Sequence, residues 1–220
     1  MRLEPFLRRH AVDAFVVLLA AVWFGGPWFT ALVAVAGALA VWELLRLAQA
    51  AHARGGAAAA WAACGLLLIG TPLCYYLALR ALPDGAAWVL LALLTVFAND
   101  TAAYATGRLV GSHRMAPAIS PGKTWEGAAG GVTAAVIACV ALSRLLNLST
   151  SAVFIPLGAG IAIAAQAGDL FESALKRRAG VKDASGLLPG HGGVLDRLDS
   201  LVLTAPLVYH GAQWIVTQGT

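Results

Sequence analysis

Thirteen residues, Leu188 to Ser200, read LPGHGGVLDRLDS and hold three glycines, one histidine, one arginine and two aspartates. On a helix Asp196 and Asp199 stand at i and i+3, with Ser200 at i+4 from Asp196. Upstream, GDLFESALKRR places Asp169, Glu172, Ser173 and Lys176 at i, i+3, i+4 and i+7, one stripe of a helix. Carboxylates from two helices, with few soft ligands near, suit a hard cation such as Mg²⁺. Gly190, Gly192 and Gly193 permit a tight turn and a close backbone approach to a ligand. Their N–H groups, just before a helix N-terminus, suit a phosphate. His191 is the one histidine here and reads first as a hydrogen-bonding loop residue, second as an acid or ligand.

Two further polar clusters lie upstream. In NDTAAYATGR, Asp100 and Tyr104 are four apart and share a helix face, and Arg108 lies one turn further. An aspartate within or at the end of an apolar helix is costly and points to function. The structural alternative is an ion pair of Asp100 with Arg108 or a lysine. In ISPGKTWEG, Ser120-Pro121-Gly122 has turn chemistry. Thr124 can cap the following helix, with Glu126 in its first turn. Lys123 then stands beside unpaired backbone N–H groups, a phosphate-binding arrangement. It is not a P-loop, because GxxxxGK[ST] is absent, and a bare helix start is an equal reading.

The elements that must position these groups are apolar. Only 12% of residues are charged, half the roughly 25% of a soluble domain, and mean hydropathy is +0.77. Ala57–Leu79, Gly85–Asn99, Gly127–Leu142 and Ser151–Gly168 carry no charge, and Trp28–Leu45 carries only Glu43. Crossing a bilayer takes about 20 such residues per helix. The pattern predicts an all-α, polytopic integral membrane protein of about seven transmembrane helices, over 11–26, 28–46, 57–79, 85–106, 127–146, 151–168 and 198–216. The basic start and Ala14–Phe24 resemble a signal peptide, but Gly25-Gly26-Pro27 leads straight into another apolar run. A retained first span is the better reading. Trp28, Trp61, Trp88 and Trp214 fall near span ends as interfacial anchors, and Pro72, Pro156 and Pro206 fall inside spans. Cys64, Cys74 and Cys139 sit in apolar runs without metal spacing and read as packing residues.

With the N-terminus in the cytoplasm, every Lys and Arg except Arg80 and Arg144 falls inside, as the positive-inside rule requires. The long polar connections, Gly107–Glu126 and Asp169–Arg197, share that side. The net charge of +4 follows from orientation and contact with anionic headgroups. Nucleic acid is excluded as a partner, since no basic domain with interleaved aromatics exists. We divide the single membrane domain into N-terminal transmembrane helices (1–98) and a catalytic half (99–220). Carboxylates, basic groups and glycine turns converging at one bilayer face imply a metal-dependent enzyme that joins a phosphate-bearing lipid to a soluble nucleotide. The residues do not name the nucleotide.

A longer pattern does. Ser173-Ala-Leu-Lys-Arg177, Lys182-Asp183 and Pro189-Gly-His-Gly-Gly-Val-Leu-Asp-Arg-Leu-Asp199 resemble the signature of the phosphatidate cytidylyltransferase (CDP-diacylglycerol synthase) family. Asp100-Thr, Tyr104, Gly107-Arg108 and Ser120-Pro-Gly-Lys-Thr-Trp-Glu-Gly127 are similar to its upstream motifs. The resemblance runs from Asn99 to Ser200, and the region before it fits in character only. It implies the reaction of CTP with phosphatidic acid to give CDP-diacylglycerol and pyrophosphate. It also implies Mg²⁺ on Asp169 and Asp196, a monovalent cation such as K⁺ nearby in some members, and homodimers. The retained basic start without organelle-type targeting fits a bacterial inner membrane, and the sorting of Lys and Arg puts the site on the cytoplasmic face. Usual members have eight or nine spans, and the shortfall here falls before Asn99, where the dimer surface and part of the lipid cavity would lie.

The implied roles are residue-specific. Lys123, Lys176, Asp169, Asp196, Arg197 and Asp199 would be catalytic. Asp100, Tyr104, Ser120 and Lys123 would shape the phosphatidate side. Glu172, Ser173, Lys182, Asp183, Gly190, His191, Gly192 and Gly193 would complete substrate binding. A CTP-dependent polyprenol kinase and a membrane transporter are the competing readings. The HGGxxDRxDS run disfavours the first, and the gathering of polar groups at helix ends disfavours the second.

Overall fold

The computed structural model describes residues 16–65, 69–148, 152–187 and 192–218. The chain forms α1 (residues 16–24), α2 (Gly26–Ala50), α3 (Gly56–Gly65), α4 (Thr71–Arg80) and α5 (Gly85–Val110). Strands β1 (Arg114–Ala116) and β2 (Ser120–Thr124) follow, then α6 (Trp125–Leu145), α7 (Phe154–Arg178), α8 (Leu195–Val202) and α9 (Thr204–Gln218). Among the described residues, α2, α5, α6 and α7 are long and apolar enough to cross a bilayer. At about 1.5 Å per residue, the shortest of them, with 21 residues, spans the hydrocarbon core. Ile137 on α6 and Ile163 on α7 are 65% and 62% exposed at mid-helix, a costly placement in water and a natural one in lipid. The chain is an integral membrane protein.

The expected spans 28–46, 85–106, 127–146 and 151–168 correspond to these four helices. Span 11–26 begins outside the described residues, and its described part is α1. Span 57–79 appears as α3 and α4, with residues 66–68 between them outside the described residues, and span 198–216 is not a single helix. In the first, Pro72 lies in the first turn of α4. The second is divided at Leu203 into α8 and α9, with Pro206 in the first turn of α9. Proline lacks the N–H that would carry a helix through, so the chain restarts there as α9.

The all-α expectation also needs correction. Gly107–Glu126 is not an open loop: α5 runs on to Val110, and an antiparallel hairpin pairs Arg114 with Thr124 and Ala116 with Ser120. The turn falls over residues 117–119, so Ser120-Pro121-Gly122 lies in β2 instead of forming the turn. Pro121 is tolerated because a two-stranded ribbon has open edges. Thr124 does cap α6, its Oγ1 accepting from the Gly127 N–H at 3.1 Å.

Small residues bring the site-bearing helices together. A Cβ on Gly131 of α6 would lie 2.6 Å from Asn99 Oδ1 of α5. One on Gly158 of α7 would lie 2.9 Å from Val136 Cα and Cys139 Cβ of α6. Close approach of this kind replaces the hydrophobic drive that lipid removes. Trp88 of α5 stacks on Phe154 of α7 with ring centroids 6.0 Å apart. Arg80 donates to Val22 O and Trp23 O, satisfying carbonyls where α1 stops at Gly25.

Gly131→Leu is therefore expected to cost about 1–3 kcal/mol by overpacking α5 against α6. Unfolding of the purified protein by denaturing detergent measures it, and an unchanged midpoint would show that the two helices do not meet at Gly131.

Candidate active site

A cleft of about 740 Å³ opens between α5, the hairpin, α6, α7 and α8. Its α5 wall holds Asp100, Tyr104 and Arg108. Arg108 donates to the Tyr104 hydroxyl at 2.8 Å, and Asp100 accepts from Asn99 Nδ2 at 2.8 Å. The Asp100–Arg108 pair weighed from sequence is thus not the contact either group makes. Asn99 is fully buried and in turn accepts from Gln166 Nε2 of α7 at 2.9 Å. Gln166 donates also to Ala128 O of α6 at 3.2 Å, so one amide ties three helices and orients Asp100 through Asn99.

The hairpin is anchored at both ends. At its base, His113 N–H donates to Glu126 and the His113 ring lies 2.6 Å from the same carboxylate. At its tip, Arg177 Nε donates to Ile119 O at 3.2 Å. This places Lys123 over α7, where Nζ meets Asp169 Oδ2 at 2.7 Å. Lys123 stands at the start of α6 as expected, and its immediate partner is a carboxylate.

Helices α7 and α8 supply the acidic wall, with Asp169, Asp196 and Asp199 facing the cleft. The stripe read from sequence holds: Ser173 Oγ donates to Asp169 Oδ1 at 3.3 Å, and Lys176 Nζ reaches Glu172 Oε2 at 2.5 Å. Lys176 also reaches Asp196 Oδ1 at 2.6 Å, joining α7 to α8. Asp196 Oδ2 accepts from Gly193 N–H at 2.7 Å and Ala184 N–H at 3.0 Å. Burial pushes the Asp196 carboxyl up. Lys176 and the Gly193 N–H outweigh it and hold the group below the usual carboxylate range. Asp199 Oδ1 accepts from the N–H and hydroxyl of Ser200 at 2.6 and 3.2 Å. Gly168 permits this wall, because a Cβ there would collide with the Asp199 carbonyl.

Of the other expected residues, Arg197 lines the cleft. Glu172, Ser173 and Lys176 stand behind its lining, and Ser120, Lys182 and Asp183 are likewise not among the lining residues. Gly190 and His191 lie outside the described residues. Gly192 adopts φ +79°, with Asp196 Oδ2 2.7 Å from where its Cβ would be. Gly193 gives its N–H to Asp196, so in this arrangement that N–H serves a carboxylate instead of a phosphate. Sequence reasoning missed Gln166, Arg114 and Met115, which also line the cleft. An uncharged Gln in an apolar run is the one signal that could have flagged Gln166.

The donor set fits a hard cation. Asp169, Asp196 and Asp199 offer oxygen from two helices, and Mg²⁺ is commonly held by one or two carboxylates plus substrate phosphates. Among the described residues no group of three or more His, Cys, Asp or Glu side chains is placed to hold a metal ion, so any cation here would depend on substrate phosphate for the rest of its ligands.

The Cytidylyltransferase family profile matches residues 55–215, and the chain belongs to that family. It is similar to phosphatidate cytidylyltransferase of Staphylococcus haemolyticus, with 40% identity over 151 residues, 68% of this chain and 57% of the relative. The Brucella suis protein of that name is 41% identical over 150 residues (68% and 56%), and the Mycobacterium bovis one 40% over 152 (68% and 48%). The matching region thus spans about half the length of these relatives.

Lys176→Met leaves Glu172 and Asp196 as buried acids without their cation, and is expected to destabilise by about 3–5 kcal/mol. Detergent unfolding checks it, and a loss under 1 kcal/mol would mean the cluster is solvent-screened. The lowered Asp196 carboxyl gives a pH dependence. Its stabilisation is complete above the unfolded value of about 3.9 and drains as pH falls towards the folded value. Between pH 6 and 3 the wild-type unfolding temperature should fall more than that of Asp196→Asn, and parallel curves would refute the assignment.

Proposed function

We propose that the chain is a phosphatidate cytidylyltransferase, converting CTP and phosphatidic acid to CDP-diacylglycerol and pyrophosphate. One observation carries the reading. A single cleft beside membrane-length helices gathers Asp169, Asp196 and Asp199 with Arg108, Arg114, Lys123 and Arg197. A triphosphate and a lipid phosphate both need cationic partners, and a nucleotide triphosphate needs acidic groups to hold its metal.

In this reading a phosphate oxygen of phosphatidate attacks the α-phosphorus of CTP in line. The new P–O bond forms as the bond to the bridging oxygen breaks, and pyrophosphate leaves with that electron pair. The lipid phosphate is ionised near neutrality, so no protein base is required. Tyr104, Arg108 and Asp100 orient the lipid headgroup from α5. Lys123, Arg114 and Arg197 stabilise negative charge on the transferring and departing phosphates. Asp169 and Asp196 would hold Mg²⁺, with Asp199 beside them. Bound there, the ion supplies charge that offsets the triphosphate and the departing pyrophosphate.

The same proposal sets the chain in a bacterial inner membrane with the cleft facing the cytoplasm. The stretch carrying α3 and α4 would serve as one span and α9 as another, with α8 at the membrane surface, which with α1 completes seven.

Purified protein in mixed micelles of phosphatidic acid, given radiolabelled CTP, should make CDP-diacylglycerol only with Mg²⁺. Asp169→Asn, Asp196→Asn and Lys123→Met should each lower kcat by about 10²-fold or more. Labelled CTP consumed without CDP-diacylglycerol, or phosphate transfer to a polyprenol instead, would overturn the reading.

A further inference from the structure

Glu43 is the one charge in Trp28–Leu45, and it lies on α2, ahead of the stretch that matches the family. Its side chain is fully buried, at 0% exposure. An anion withdrawn from water costs several kcal/mol unless donors replace its hydration. Here the donors come from the far end of the chain. Ser185 Oγ donates to Oε1 at 2.5 Å, Val194 N–H to Oε1 at 3.0 Å, and Leu195 N–H to Oε2 at 2.6 Å. Two are backbone groups at the start of α8, where amides lack helical partners and the helix dipole favours an anion.

The neighbouring contacts explain what this capping controls. Asp196 binds the same two segments, accepting from Ala184 N–H and Gly193 N–H. Residues 184–185 and 193–195 are therefore held jointly by two carboxylates. Gly193 fits only because it lacks a Cβ, which would stand 2.5–2.7 Å from the Glu43 carboxylate. Asp196 lines the cleft and Glu43 does not. The register of α8 also sets Arg197 and Asp199.

We propose that Glu43 is a positioning residue for the acidic wall of the cleft. By binding Ser185, Val194 and Leu195 it determines where α8 begins, and so how Asp196, Arg197 and Asp199 meet the nucleotide phosphates and their cation. The proposal rests on the cytidylyltransferase reading above and assigns α2 a role on the CTP side of that reaction. In the same reading the lipid headgroup is oriented from α5, by Asp100, Tyr104 and Arg108, whereas the hydrogen bonds of Glu43 run to Ser185, Val194 and Leu195.

The test uses the full chain in phosphatidic acid mixed micelles. Glu43→Gln keeps size but removes the charge and turns an amide NH₂ towards a backbone donor. It should lower kcat/KM for CTP by about 10-fold, the scale of one charge-assisted hydrogen bond. The Mg²⁺ concentration for half-maximal rate should rise, while KM for phosphatidate stays within about twofold. Deuterium exchange should accelerate in peptides covering 192–201 and stay unchanged in α5 and α6. Fast exchange with wild-type kinetics would overturn the proposal, leaving Glu43 a structural clasp only. Unchanged exchange would overturn it as well, as would equal losses on the CTP and phosphatidate sides.

Ser185→Ala removes one donor of three and guards against a Glu43 variant that does not fold. It should show the same pattern at about threefold, near the lower limit for one hydrogen bond, and wild-type behaviour there overturns the proposal. A wild-type chain that turns over no CTP would sink the functional reading instead. In that case CTP binding by equilibrium dialysis, read beside the exchange data, decides for Glu43: weakened binding supports it, and unchanged binding overturns it.

Discussion

The site depends on one constraint, that an ion held among apolar helices must be matched by a partner within hydrogen-bond reach. Desolvating a single carboxylate or ammonium costs several kcal/mol, comparable to a domain's whole stability. Lys176 meets the constraint by standing between Glu172 and Asp196, at 2.5 and 2.6 Å. Lys123 meets it against Asp169. These pairs are the means by which α7 holds α8 and the hairpin. A bundle that must match its charges is committed to one arrangement of those elements, and that arrangement leaves three aspartates on a shared wall.

Backbone approach makes the matching possible. Gly168 lets α8 lie against α7, and Gly131 lets Asn99 reach across towards Gln166. A larger residue at either position would move a polar partner by more than a hydrogen bond tolerates. The hairpin does comparable work outside the bundle. Its base is bound to Glu126 and its tip to Arg177, so Lys123 is delivered by a short rigid ribbon. Loops that carry charge at a membrane surface gain little from apolar burial, and such ties replace it.

The family match covers 55–215 and contains every cleft-lining residue. The buried carboxylate that caps α8 comes from outside it. Helix α2 is therefore joined to the start of α8, whose Asp196 and Asp199 line the cleft, by a polar contact. The division at residue 98 separates sequence character, while the hydrogen bonds from 185, 194 and 195 to Glu43 cross it.

Much was legible without coordinates. Hydropathy runs located α2, α5, α6 and α7, because lipid demands an uninterrupted apolar length that few other structures need. Helical spacing put Asp169, Glu172, Ser173 and Lys176 on one stripe, because i, i+3, i+4 and i+7 share a face by geometry alone. The break between α8 and α9 and the hairpin were not legible, since a helix restart at Pro206 and a β-ribbon through Pro121 depend on what neighbouring chain supplies. Nor could the sequence say that Asp100 turns to Asn99 instead of Arg108, or that Gly193 gives its N–H to Asp196. What the sequence determined was composition, period and the chemical kinds of group available. Which donor meets which acceptor was decided only by tertiary structure, because residues 142 to 152 positions apart, as Glu43 is from Ser185 and Leu195, become neighbours only when the helices pack.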